Sequence, residues 1–371
     1  MTRKLLVTSV GSGVGHVILA ALRCSEAPWY VVGMNSVAFD AGVFGCNSAW
    51  LAPPVAQREA FEERLLEVVE AERPALIVPG RDDDLPILAA MRERLAERGA
   101  FALVGSPEAV DICSDKYRTA KVFRAAGLPF TETAASREEI EALLAACGFP
   151  LLAKLRRGFA SRGVRVLFDR DGIEAVLACG AEMVVQEYLA PRSWNKARAE
   201  ITPSDVERDG MLRQDEEMSA EVFLGRDGKA LGVIACCAHK VHGATRAVEV
   251  LDEPLLEAVA REGAELLGRH GMIGPCNIAA KRLADGSWGF FEVNARFTGS
   301  TGVRAALGFG EIEAAWRHFI EGEEKPDCLT FDKDRVVCRY LAETVVRKGD
   351  LEELRQGGKW RASGAIRSAP V

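Results

Sequence analysis

Four short apolar runs in the first hundred residues, separated by helical patterns, constrain this chain more than any other feature. Leu5–Ser9, Tyr30–Met34, Ala75–Val78 and Ala102–Gly105 read as strands, and Val14–Arg23, Phe61–Glu72 and Asp84–Arg98 as helices. Continuous apolar runs are buried on both faces, and a β-α-β-α order puts them in a parallel sheet covered by helices. The turn Gly11-Ser-Gly13-Val-Gly15-His16 follows the first run and invites a dinucleotide-binding reading. The third glycine of that fingerprint would fall at His16, and the expected acid at the end of the second strand is Asn35. A tight strand-to-helix turn is the better reading.

At 371 residues the chain exceeds one ordinary core, so two or three domains are expected. Its 48% hydrophobic and 27% charged residues suit a globular protein, and a net charge of -7 argues against a nucleic-acid surface. Met1–Val10 carries two basic residues and a short apolar run, but glycines and no cleavage site follow. No apolar stretch approaches the length of a membrane span. A cytoplasmic protein without membrane or nucleic-acid partners is expected. The ten cysteines are scattered without a CxxC pair and read as reduced core residues. His239 and His242 are the closest histidine pair, read as a loop or phosphate-side feature rather than a metal site.

Further on, Lys116–Ala126 and Glu138–Cys147 read as helices, Leu151–Lys154, Val164–Phe168 and Met183–Gln186 as strands, and Gly172–Cys179 as a helix. Period-two alternation marks Glu217–Phe223, which pairs with Leu231–Ala235 across Gly225-Arg-Asp-Gly228. Leu255–Gly271 is a long amphipathic helix, Asn277–Leu283 and Trp288–Asn294 a second hairpin, Gly310–Ile320 a helix and Arg335–Val346 a last strand. The tail from Gly357 is expected to be loosely ordered. Residues 191–215 are polar and aperiodic, an inserted loop in which Trp194 is a packing anchor.

Chemistry concentrates in Phe290-Phe-Glu292-Val-Asn294-Ala-Arg296-Phe-Thr298-Gly299. Residues two apart on a strand share a face, so Glu292, Asn294 and Arg296 project together. A carboxylate and an amide oxygen are hard ligands suited to magnesium, and a guanidinium can hold a phosphoryl group. Alone, this pattern reads better as a hairpin edge with a Glu–Arg pair on its solvent face. Its companions change the reading: Lys154 ends a strand just before a basic, glycine-bearing loop, and Lys116 opens a helix, where a cation is unfavourable unless it meets an anion.

In order and spacing these pieces resemble the ATP-grasp superfamily, in the branch of the carbamoyl phosphate synthetase large subunit and the amino-acid ligases. The resemblance runs from the first glycine turn to Arg296. It implies an α/β fold with a Rossmann-like domain over 1–112, a small α+β lid with its lead-in helix over 113–189, and an α+β domain with an antiparallel sheet over 190–371, interrupted near 191–215. It also implies ATP and Mg2+ as cofactors. Lys116 and Lys154 match the phosphate cations, and Gly158, Ser161 and Gly163 the mobile phosphate loop. Gln186, Glu187, Tyr188 and Leu189 match the adenine hinge. Glu217 matches the ribose acid, with Glu216 and Glu221 as alternatives; in the basic stretch His239–Arg246, Lys240 and Arg246 are candidate phosphate contacts. Glu292 and Asn294 match the metal ligands, and Arg296 the arginine of phosphoryl transfer. The usual further metal ligand before Glu292 falls at Ala279, with Asn277 as a weak substitute, and Ala295 replaces a proline.

Substrate is expected at the strand ends of the first domain, near His16, Asp82 and Asp84, the two acids serving either an ammonium group or a helix cap. Thr298, Gly299 and Ser300, with Arg296, are the candidates for holding a carboxylate. The implied activity is ATP-dependent ligation of a small carboxylate or amino acid to an amine, through an acyl phosphate, with release of ADP and phosphate. A kinase on the same fold and a non-catalytic nucleotide-binding module are the alternatives. A homodimer is the default assembly.

Overall fold

The computed structural model describes residues 2–158, 163–194, 196–208, 211–212, 217–241, 244–283, 285–339 and 343–362. β1 (Arg3–Val7), β2 (Trp29–Asn35), β3 (Ser48–Leu51), β4 (Leu76–Val78) and β5 (Phe101–Ala102) form a parallel sheet in the order β3-β2-β1-β4-β5. Leu6 enters one core with Phe61, Leu65 and Leu88 of the helices Arg58–Glu72 and Asp84–Ala96. Its neighbours Leu5 and Val7 enter another with Ile18 and Leu22 of the helix Gly13–Arg23. Alternate side chains thus feed opposite faces, which is why the runs are apolar throughout. β3 escaped the sequence reading because four residues beginning with a serine carry no usable periodicity. Of the tail expected to be loose, Lys359–Arg361 pairs antiparallel with β3 and Trp360 is buried, while residues 363–371 lie outside the described residues.

The first turn is closed by contacts rather than by a cofactor fingerprint. A Cβ on Gly15 would sit 2.2 Å from the Val10 carbonyl oxygen, so only glycine fits. The Ser12 hydroxyl caps the following helix and donates to the Gly80 carbonyl at 2.6 Å. Asn35 accepts from the Gly11 N–H at 3.2 Å.

Asp84 ties this turn to the next one. It is fully buried and accepts from the Thr8 and Ser9 hydroxyls at 2.7 and 2.8 Å, so it does not face a substrate, and that expectation is corrected. Burial pushes its carboxyl up to about 6, against the pull of those donors. Its protonated form is therefore favoured by folding. The resulting stabilisation is complete below the usual carboxylate pKa and lost as pH rises through about 6. Asp84→Ala is expected to cost about 2–3 kcal/mol by orphaning its donors. Asp84→Asn should flatten the dependence of urea-unfolding stability on pH between 4 and 7.

The second sheet is antiparallel, β6 (Thr133–Ala134), β7 (Leu151–Leu155), β8 (Arg165–Leu167) and β9 (Met183–Glu187) in the order β6-β9-β7-β8. Leu151, Ala153, Leu167 and Val185 pack on the helices Arg137–Cys147 and Arg170–Leu177. Leu152 and Lys154, in register with Gln186 and Val184, occupy the opposite face. The segment after β9 is not a bare surface loop. A short helix, Pro203–Val206, leads into β10 (Glu207–Arg208), which pairs with β11 (Met211–Leu212). Ile201, Val206 and Trp194 pack with Tyr188, Leu152, Val166 and Phe168, so the insertion covers part of the Leu152 face.

The third sheet holds β12 (Met218–Leu224), β13 (Ala230–Val241), β14 (Ala244–Val250), β15 (Gly274–Arg282), β16 (Trp288–Asn294) and β17 (Val336–Cys338), all antiparallel, ordered β16-β15-β12-β13-β14-β17. Gly228, at φ 72°, makes the expected hairpin turn between β12 and β13. The helix Pro254–Arg269 sets Leu256, Ala260, Ala264 and Leu267 against Ala220, Val222 and Ala235. The expected strand Arg335–Val346 is confined, among the described residues, to β17. No helix among the described residues is long and apolar enough to cross a membrane.

Candidate functional site

The second and third sheets meet through two buried ammonium groups. Lys154, on the open face of β7, donates to the Phe291 carbonyl at 3.1 Å and lies 5.5 Å over the Phe291 ring. Burial lowers its pKa to about 8; Glu292 and Glu217 oppose this and Lys116 adds to it. Lys116 donates to the Gly158 carbonyl at 2.7 Å and stands 3.8 Å from a Glu292 oxygen. A cation at a helix start opposes the helix dipole, and the preceding residue compensates. Asp115 caps the helix by accepting from Tyr117 and Arg118, and pairs with Arg156 at 2.8 Å and Arg157 at 3.2 Å. One carboxylate thereby joins the helix start to the strand exit of Lys154. Two cations facing one carboxylate in a low-dielectric cleft form a site that favours a further anion.

On β16, Glu292 and Asn294 are half-buried and lie in register with Ala279 and Asn277 of β15. The position expected to lack a metal ligand is therefore directly opposite Glu292. Asn277 does not replace it: its amide donates to Glu221 at 3.2 Å, inside the protein. Arg296 is buried, donating to Asp82 at 2.6 Å, the Phe297 carbonyl at 2.9 Å and Asn294 at 3.3 Å. Its Nε is buried without an acceptor among the described residues.

At the exit of β9, Gln186 is buried and donates to the Thr133 hydroxyl at 2.8 Å. Tyr188 and Leu189 are buried, and Glu187 stands 3.8 Å from Arg198, which also donates to the Pro150 carbonyl. Sequence reasoning missed Lys281, a buried lysine 5.8 Å over the Tyr188 ring. Its only signal was a charge at an inward-facing position of β15. Glu221, an alternative for the ribose acid, is committed elsewhere. It is 2.8 Å from Arg304, which is itself 2.8 Å from Glu311, all three being buried. Glu217 acts on Lys154 and stays with the site. Glu216, Ser161 and the side chain of Lys240 lie outside the described residues, whereas Gly158 and Gly163 flank the undescribed part of the loop.

A cavity of about 540 Å³ opens beside Lys116, Glu292 and Asn294 and reaches Asp82, Asp83 and Arg58 of the first domain. Of the substrate candidates, Asp82 lines it, and Arg296 reaches it through Asp82. His16 does not: it bonds Asp40 at 2.9 Å. Thr298 and Ser300 are half-buried: the Thr298 hydroxyl accepts from the Arg304 side chain at 3.2 Å, the Ser300 carbonyl accepts a helical bond from the Arg304 N–H, and the Gly299 carbonyl accepts from Arg339.

No family model matches the chain. Among curated proteins it is similar to the carbamoyl phosphate synthase large chain of Paenarthrobacter aurescens, 27% identical over 269 residues, covering 66% of this chain and 24% of that protein. The large chain from Streptomyces coelicolor is 26% identical over 195 residues, covering 48% and 17%. The chain thus spans a quarter or less of these relatives' length. Among solved structures, a biotin carboxylase–β-γ-ATP complex from Campylobacter jejuni matches with a TM-score of 0.63 at 18% identity, covering 88% of this chain and 72% of that one. An L-amino acid ligase from Bacillus licheniformis matches at 0.57 and 16%, covering 83% and 71%.

Proposed function

We propose that the chain, an ATP-grasp protein by fold, is an ATP-dependent carboxylate–amine ligase. The observation that carries this reading is the convergence of buried Lys154 and Lys116 on Glu292, beside a cavity that reaches the first domain. Two ammonium groups fit a polyphosphate, and the oxygens of Glu292 and Asn294 fit a magnesium ion. ATP would supply a phosphoryl group to a substrate carboxylate, which an amine then captures. Lys154 and Lys116 hold the phosphate oxygens and offset charge as it develops on them. Arg296 keeps a desolvated Nε without an acceptor among the described residues, and Asp82 holds another arm of its guanidinium, so it is the donor assigned to an oxyanion. Leu152, Gln186, Glu187, Tyr188, Leu189 and Lys281 wall the end for the base, and Glu217 is the ribose acid. The cavity with Asp82 and Asp83 suits an acceptor or donor carrying an ammonium group, hence an amino acid or a small amine.

The deciding experiment measures ADP, AMP and phosphate released from Mg-ATP with pooled amino acids and small carboxylates. Pool-dependent ADP and phosphate support the ligase. AMP and pyrophosphate would exclude an acyl phosphate, and a phosphorylated alcohol would move the protein to the kinases. With Ala279 facing Glu292, one Mn2+ per bound nucleotide is expected by electron paramagnetic resonance. Ala279→Glu should raise that number to two.

A further inference from the structure

Cys237, His239 and Glu249 form a cluster that the nucleotide site does not use. Their ligand atoms lie within 4.8 Å of one another. Cys237 and His239 are two apart on β13 and so share a face, and Glu249 on β14 is in register with Cys237. Three ligands are thus held by paired strands of one hairpin, a more rigid mount than a loop. A bulge between His239 and Lys240 locally twists the edge of this array. The neighbours of Cys237 on its face, Ala235 and Met218, pack toward the helix Pro254–Arg269.

We infer that this hairpin binds a borderline-soft divalent cation of the zinc class, through the Cys237 thiolate, a His239 ring nitrogen and a Glu249 carboxylate oxygen. The donor set is the argument. Magnesium and calcium take oxygen ligands, whereas sulfur, imidazole and carboxylate together select zinc and its neighbours. Tetrahedral bonds of about 2.0–2.3 Å place ligand atoms about 3.5 Å apart, so the observed spacing needs only small side-chain adjustments. His239 now bonds Glu249 at 2.9 Å; both groups would turn from each other to the ion, and the thiol proton would pass to solvent. Cys237 is 7% exposed, whereas the His239 and Glu249 side chains are 55% and 43% exposed. The ion therefore enters from solvent and keeps its fourth position for water. In the sequence only His239 and His242 stood out as a pair; the partners that matter are one residue two positions back and one on the next strand.

The test is titration of the metal-free full chain with Co2+, followed by displacement with Zn2+. One equivalent with a thiolate-to-cobalt charge-transfer band is expected. Cys237→Ser should remove that band, and His239→Ala should weaken binding by more than ~100-fold. Glu292→Gln should leave the band unchanged, and circular dichroism should show each variant folded. A band that persists in Cys237→Ser, or no thiolate band in the unsubstituted protein, would overturn the assignment.

Discussion

Lys154→Met is expected to lower turnover by about 10²–10³-fold while raising the resistance of the fold to urea. The two effects have one cause. Burial disfavours the ammonium form and brings its pKa to about 8. The folded protein thus holds a charge at neutral pH that costs on the order of 3 kcal/mol, which methionine would not carry. In the proposed reaction the same desolvated charge would contribute about 3–4 kcal/mol to a phosphoryl group in the transition state. The two pH dependences oppose each other. Between pH 8 and the ordinary lysine range the unfolded chain binds more protons than the folded one, so this residue makes stability rise with pH. Nucleotide affinity should fall over that window, because the neutral amine offers no charge. Calorimetry at pH 9 in buffers of different ionisation enthalpy should show proton uptake on ATP binding, absent in Lys154→Met. Equal proton uptake by both proteins would sink the assignment of Lys154 to the phosphates.

Arg304→Met should give the largest loss of stability, about 3–5 kcal/mol, because it leaves the buried carboxyls of Glu221 and Glu311 without their shared cation. Burial already raises the pKa of both, and Arg304 opposes that rise. Folding therefore favours their protonated forms. The stabilisation they give is complete below the usual carboxylate range and is lost as pH rises through their raised values. The variant should thus be closer to the parent in urea at pH 5 than at pH 8. Replacing all three by Glu221→Gln, Arg304→Met and Glu311→Leu should recover much of the loss. An Arg304→Met variant within 1 kcal/mol of the parent at pH 8 would mean that water reaches these carboxyls. Function should feel the change too. Arg304 donates to the Thr298 hydroxyl, two residues past Arg296, and Glu221 accepts from Asn277, which faces Asn294. KM and kcat should therefore both shift in a variant that still folds.

The legible part of this protein was local. Apolar runs marked β1, β2, β4 and β5 because burial on both faces demands apolar residues at every position. Period two in β16 placed Glu292 and Asn294 on a common side, a conclusion that needs only backbone geometry. That Ala279 stands where a further metal ligand is usual came from the family resemblance, and its register opposite Glu292 from the sheet itself. β3 and the strand Lys359–Arg361 were missed because short or edge strands take their stability from partners and not from their own pattern.

What only the tertiary structure decided was which charges meet. Asp82 and Asp84 stand two apart in one turn, yet one reaches Arg296 and the cavity while the other is sealed beneath Thr8 and Ser9. Asn277 read as a weak metal substitute and Glu221 as an alternative ribose acid, but Asn277 donates to Glu221, and Glu221 in turn pairs with Arg304, which also holds Glu311. Arg296 finds Asp82 across 214 residues of chain. Sequence periodicity tells which face a side chain takes, but a charge is placed by the low-dielectric partner it can reach, and that partner is set by packing over long separations.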